Sequence, residues 1–199
     1  MDFEFTEEQL AFREQVLRFA TREIAPRCRE QDLKAEFDRE AWRRMGEFGL
    51  LGLHFPEAYG GSGADVVTTV LAGEALGEAG VDGGLTLSYG AHSFLCADTL
   101  FVHGTEEQRR KYIPRLASGE WIGCMGLTEP GAGSDVAALR TRAERHGDQW
   151  LLNGSKIFIT NGPVADVAVV YATVDPGQAH AGISCFIVEK GTPGFSAGA

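Results

Sequence analysis

The sequence predicts an α+β protein in which a helical region precedes a region built of strands. Three observations predict it. Apolar residues recur at helical spacing up to about residue 120 and at a spacing of two beyond it. Two capping boxes, at Thr6 and Thr105, both fall in the first region. Hairpin-type turn residues, His146-Gly147-Asp148 and Asn153-Gly154, separate the apolar runs of the second. We assign residues 1–119 to an all-helical domain and 120–199 to an antiparallel β-sheet or barrel domain.

Thr6-Glu7-Glu8-Gln9 opens the first helix, with Leu10, Leu17, Ala20 and Ile24 on one stripe, and Pro26 is expected to end it. Asp38 is the next N-cap, for a helix that carries Trp42, Met45 and Phe48 and closes at Gly49. A Gly-rich loop, YGGSG, leads to a third helix over 66–79, and a fourth is expected over 85–102. Thr105-Glu106-Glu107-Gln108 starts a fifth that stops near Ser118. Beyond it LRTRAE alternates cleanly, while QWLLN, SKIFIT, VAVVYAT and ISCFIVE are β-branched or aromatic runs expected as strands. About five strands followed by a Pro-Gly turn leave sheet edges to be covered, so the chain is expected to be part of something longer.

Composition narrows the function. With 28 acidic against 18 basic side chains the formal net charge is −10, the wrong sign for a nucleic-acid surface. No apolar run reaches the ~18 residues of a membrane span, and the acidic N-terminus has no signal-peptide pattern. The four cysteines show no C-x-x-C, which suggests reduced thiols in a cytoplasmic protein. The five histidines show no zinc-type spacing, so no metal site is expected.

Two stretches invite a chemical reading. LTEPGAGSD, Leu127 to Asp135, spends more residues than a hairpin needs, and its hydroxyls and free amides suit diphosphate oxygens. The plain alternative is a turn at Pro130-Gly131. It is neither a Walker A loop nor a dinucleotide fingerprint, because the required glycine and lysine spacings are missing. IFITNGP, Ile157 to Pro163, sets an aromatic and a hydroxyl beside a tight turn: either a ring-stacking site, or a strand end with Phe158 in the core. There is no G-x-S-x-G elbow, and His92 reads as a helix-packing histidine.

Together these stretches resemble the acyl-CoA dehydrogenase family. MGLTEPGAGSDV is similar to its flavin-loop signature and LNGSKIFITNG to its second flavin segment. EEQLAFREQVLRFATREIAP, FPEAYGGSG and FIVEKGTPGFS are similar to its first helix, a following loop and a later strand and turn. The resemblance implies a helical domain, a β domain and a C-terminal four-helix domain, with this sequence stopping inside the second. It implies FAD as cofactor, with Met125, Leu127 and Thr128 facing the flavin ring and Gly133 and Ser134 near the diphosphate. Ser134 would also touch the pantetheine arm of an acyl-CoA substrate. Phe158, Ile159 and Thr160 would line the isoalloxazine, with Phe158 standing where many relatives carry Trp.

The implied chemistry is α,β-dehydrogenation: a carboxylate takes the α-proton and the β-hydride passes to the flavin. The family's base is a glutamate of the C-terminal domain, so no catalytic residue is assigned within 1–199. The resemblance also implies an electron-transfer flavoprotein as acceptor and a homo-oligomer, a homotetramer. LSYGAHS and ITNGPVADVAVVY look most like the isovaleryl-CoA branch, which would place the chain in branched-chain amino acid catabolism, with Ser88, Tyr89 and Ala91 bordering the acyl pocket. Two alternatives stay open: a non-catalytic remnant that binds flavin or a partner, and a member recruited to acyl-carrier-protein or oxygen chemistry.

Overall fold

A computed structural model of the protein describes residues 4–198. Residues 1–3 and Ala199, the outermost residues of the two expected domains, lie outside the described residues. The chain divides into two compact units, one ending at Trp121 and one beginning at Ile122.

In the helical unit, α1 (Glu7–Phe19) starts on the Thr6 capping box. The Gln9 amide donates to the Thr6 hydroxyl at 3.1 Å, and the Thr6 amide donates to the Gln9 side-chain carbonyl at 3.0 Å. Pro26 does not end this helix, contrary to expectation. The chain runs through a π-helical turn, Ala20–Ile24, into α2 (Ala25–Lys34), with Pro26 in the first turn of α2. A missing N–H is tolerated there, because first-turn amides lack the usual acceptor four residues back. The buried stripe is Val16, Ala20 and Ile24, whereas Leu10 is 49% exposed, so the core contact begins later than the periodicity suggests.

Asp38 caps α3 (Arg39–Phe48) by accepting from the Glu40 and Ala41 amides, and Gly49, at φ 87°, closes it in the left-handed conformation that glycine adopts without steric cost. Trp42 and Met45 are buried on its inner face. After α4 (Val66–Glu78) comes the helix expected over 85–102. It is instead three pieces: α5 (Gly83–Gly90), a π-helical turn (Ala91–Ala97) and α6 (Asp98–His103). It starts early because the Asp82 carboxylate accepts from the Leu85 amide at 2.9 Å, making Asp82 the N-cap. The second capping box, Thr105 with Gln108, starts α7 (Glu106–Ala117). No helix among the described residues is long and apolar enough to cross a membrane.

The second unit holds β1 (Gly123–Gly126), β2 (Arg142–His146), β3 (Gln149–Asn153), β4 (Val167–Thr173) and β5 (Ile183–Glu189). The expected α+β class holds, but the sheet is mixed where antiparallel pairing was expected. β4 pairs antiparallel with β5 along its length, yet parallel with β1 (Gly123↔Val167 to Gly126↔Val170) and, at Arg142↔Thr173, with β2. VAVVYAT carries the reason: an unbroken apolar run buried at nearly every position suits a central strand covered on both faces. His146-Gly147-Asp148 makes the β2–β3 hairpin as expected. Asn153-Gly154 does not turn into another strand; SKIFIT, expected as a strand, is irregular backbone. All four cysteines are free, and only Cys185 is exposed.

Candidate functional site

The sheet unit brings the two motif-bearing stretches side by side. Met125 lies in β1 and is half-buried, and the chain leaves the strand through Leu127 and Thr128. The Ile157 amide donates to the Thr128 carbonyl at 2.9 Å, and Lys156 Nζ donates to the Leu127 carbonyl at 3.0 Å. A third tie comes from Asn161, whose side-chain amide donates to the Gly123 carbonyl at 3.1 Å. SKIFIT is not a strand, but it is fastened to β1 and its exit all the same.

The bend itself is tighter than its length suggests. The Glu129 and Ala132 amides exchange hydrogen bonds with each other's carbonyls at 2.9 and 3.1 Å, so Pro130-Gly131 does form a two-residue turn. The turn is therefore one component of the loop, and Gly133, Ser134 and Asp135 extend beyond it, exposed. Among the described residues the hydroxyls of Thr128, Ser134 and Thr160 make no hydrogen bond.

Phe158 decides between the two readings of IFITNGP. It is 90% exposed with φ 56°, so it is neither in the core nor on an extended strand. A bulky residue in the left-handed region is strained by about 1–3 kcal/mol and persists only when its neighbours hold it there. They do: Ile157 is bonded before it, and after it Asn161, also left-handed at φ 68°, makes a turn in which the Gly162 amide donates to the Ile159 carbonyl. Ile159 instead packs on the small apolar cluster of Cys124, Ala168, Val170 and Val188. The ring of Phe158 and the side chain of Ile159 thus leave the same turn with opposite fates.

Sequence reasoning overlooked Glu129 and Lys156. Their side chains are 6% and 10% exposed and meet at 2.7 Å. Glu129 also accepts from the Arg140 amide at 2.6 Å, the Thr141 amide at 2.9 Å and the Thr141 hydroxyl. Burial alone would raise its pKa; the hydrogen bonds from Lys156, Thr141 and the Arg140 amide outweigh that and hold it at about 2. The signal available was an acid in one motif and a base in the other, both inside stretches otherwise poor in charge. Gly154 lies against this network, and a Cβ there would overlap Thr141. These residues line one side of an open cavity of about 690 Å³ with Phe158, Ile159, Val170 and Phe195.

In the helical unit Ser88, Tyr89 and Ala91 are buried where α5 meets its π-helical turn. The Tyr89 hydroxyl is buried without a partner, and burial raises its pKa. His92 is fully buried, its Nε2 hydrogen-bonded to the Leu116 carbonyl at 3.0 Å and its ring edge-on to Trp42. It is a packing histidine held neutral, its pKa lowered by burial to about 4.

Comparison with known proteins fits this arrangement. The pattern of "Acyl-CoA dehydrogenase, N-terminal domain" matches residues 6–120, and that of "Acyl-CoA dehydrogenase, middle domain" matches 124–199. Isovaleryl-CoA dehydrogenase of Pongo abelii is 47% identical over 195 residues, 96% of this chain and 46% of the relative. Short-chain-specific acyl-CoA dehydrogenase of Clostridium acetobutylicum is 47% identical over 198 residues, 100% of this chain and 52% of the relative. The chain thus spans about half the length of these relatives. Among solved structures, butyryl-CoA dehydrogenase from Megasphaera elsdenii superposes with a TM-score of 0.91 at 40% identity, covering 98% of this chain and 52% of that one. An FAD complex of PigA does so with a TM-score of 0.93 at 35% identity, covering 98% and 51%. Two motif segments fastened together in one unit, helices in the other, and a matching pattern across each make the conclusion plain: the chain belongs to the acyl-CoA dehydrogenase family.

Proposed function

We propose that this chain supplies the flavin-facing surface of an FAD-dependent dehydrogenase that forms the α,β double bond of short or branched acyl-CoA thioesters. One observation carries the reading. The exit of β1 and the 156–160 segment are locked together, while the Thr128 and Thr160 hydroxyls have no protein partner and the Phe158 ring is held outward by a strained backbone. Hydroxyl donors and an aromatic face fit a flavin ring, and the exposed Gly133-Ser134 loop fits phosphate oxygens. Bound FAD would supply hydride acceptance. The chain's own residues orient and shield: Met125, Leu127, Phe158 and Ile159 provide the apolar wall, Thr128 and Thr160 the donors, and Ser134 a contact to the pantetheine arm.

Proton abstraction needs a base whose pKa lies near the working pH. Glu129, the carboxylate of the flavin-facing loop, does not qualify, because at about 2 and with four hydrogen bonds its proton affinity is spent on structure. We assign no base within residues 1–199. The short or branched chain preference is supported by the relatives named isovaleryl-CoA and short-chain acyl-CoA dehydrogenase. An electron-transfer flavoprotein as acceptor, a homotetramer and a cytoplasmic setting complete the proposal.

The test is made on the complete gene product and on residues 1–199 side by side. The complete protein should purify with FAD and be bleached anaerobically by isovaleryl-CoA in preference to octanoyl-CoA. Thr160→Val should retain the fold and slow that bleaching. Residues 1–199 should give no acyl-CoA-dependent dye reduction, since loss of general-base assistance alone removes ~10²- to 10⁴-fold. Absence of flavin from the complete protein would overturn the reading; preference for octanoyl-CoA would overturn only the chain-length assignment.

A further inference from the structure

We propose that Glu129 and Lys156 are a positioning pair that fixes Leu127-Thr128 against Lys156–Phe158, so that both segments present one pre-set surface to the flavin. This rests on the reading above that the surface takes FAD. Lys156 Nζ makes two directed bonds, one to the Leu127 carbonyl at 3.0 Å and one to Glu129 at 2.7 Å. Glu129 in turn grips Arg140 and Thr141 through their amides and the Thr141 hydroxyl. Thr128 is therefore bracketed. The carbonyl before it is held by Lys156, its own carbonyl by the Ile157 amide, and the residue after it by Glu129.

Gluing the unit together would not require this chemistry. A buried ion pair is no more stabilising than apolar side chains of the same volume, and often less. What apolar residues cannot do is reach a particular carbonyl in a particular direction, and the Leu127 carbonyl sits one residue before a flavin-facing hydroxyl. The pair also lies two residues before Phe158, whose left-handed backbone has to be held from both sides. Water is excluded from both side chains, so the bonds have no exchange partner and the bracket has one setting. The effect on a bound flavin is through the backbone; neither side chain needs to touch it.

The test compares Lys156→Met, Glu129→Gln and Lys156→Arg with the parent chain. Two readouts are taken: amide hydrogen exchange without ligand, and FAD affinity with the visible circular dichroism of the bound flavin. Lys156→Met should raise exchange at Ile157, Arg140 and Thr141 by about tenfold or more while α3 and α7 keep their protection. It should also weaken FAD by about tenfold and change the flavin dichroism. Lys156→Arg, which keeps charge and donors, should recover most of both, and Glu129→Gln, which keeps an acceptor, should fall between. Parental exchange at Ile157 in Lys156→Met overturns the proposal whatever the flavin does. Raised exchange with parental affinity and dichroism overturns it too, because the pair would then only stabilise the sheet. A parent chain and complete protein that bind no FAD, with exchange raised as expected, would uphold the bracket and overturn the flavin reading instead.

Discussion

The helical and sheet units bury polar side chains by opposite means. In the helical unit His92 is fully buried and kept neutral, satisfied by the Leu116 carbonyl and packed on Trp42. In the sheet unit Glu129 and Lys156 are buried charged, each stitched to backbone at several points. A neutral ring tolerates burial with one hydrogen bond and constrains little beyond its own helix. A charged pair demands complete, directed satisfaction, so it doubles as a constraint on every backbone group it touches. The difference matches the tasks: one unit fills a core, the other has to hold two loops in register.

Breaking the pair should produce the largest effect. Lys156→Met leaves Glu129 charged and partly unsatisfied, and should destabilise the sheet unit by about 3–5 kcal/mol. The double variant Glu129→Gln/Lys156→Met should recover part of that loss in urea unfolding. Equal losses in single and double variants would mean that uncompensated charge is not what the network prevents.

Acid should separate the two units. His92 titrates near 6.5 when unfolded and at about 4 when folded, so between these values the unfolded state binds more protons. Stability is full above pH 6.5 and falls as pH drops towards 4, by roughly 3 kcal/mol in all. His54, also lowered by burial, acts in the same direction despite the opposing pull of Asp98. Glu129 behaves as a depressed carboxylate: its contribution is complete above about 4.5 and is lost only as pH falls through about 2. Exchange measured between pH 7 and 4 should therefore loosen α7 before it loosens Arg140 and Thr141. Loosening in the reverse order would dissolve the contrast.

The smallest effect sharpens the comparison from the helix side. Thr105→Ala removes the hydroxyl that accepts from the Gln108 amide and should destabilise by about 1 kcal/mol, read as a lower unfolding midpoint. Its cost should stay within the helical unit, with Ile157 exchange unchanged.

Legibility in the sequence followed the range of the interactions. Capping is local, so Thr6, Asp38 and Thr105 announced their helices correctly. Sheet direction is not local: the parallel pairing of β1 with β4 joins residues more than forty positions apart, and alternation carries no sign of it. SKIFIT has a strand's composition, yet Phe158 adopts a left-handed backbone because tertiary bonds at Ile157 and Asn161 override propensity. The flavin-facing residues were readable only through resemblance. Glu129 and Lys156 were passed over because charge in a loop looks solvated until the fold buries it.

The two π-helical turns, Ala20–Ile24 and Ala91–Ala97, have a consequence for how this chain can tolerate change in length. A π turn is a helix with one residue too many, looped out without breaking the rod. Deleting a single residue such as Thr21 would let the backbone relax to the ordinary repeat. Everything downstream in that rod would then rotate by about 100° and shift by about 1.5 Å relative to what lies upstream. Ile24 would leave its buried position, and Cys28 and Arg27 with it. Regions that look like spare length are therefore fixed in phase, and shortening either rod by one residue would be felt as a twist along all that follows.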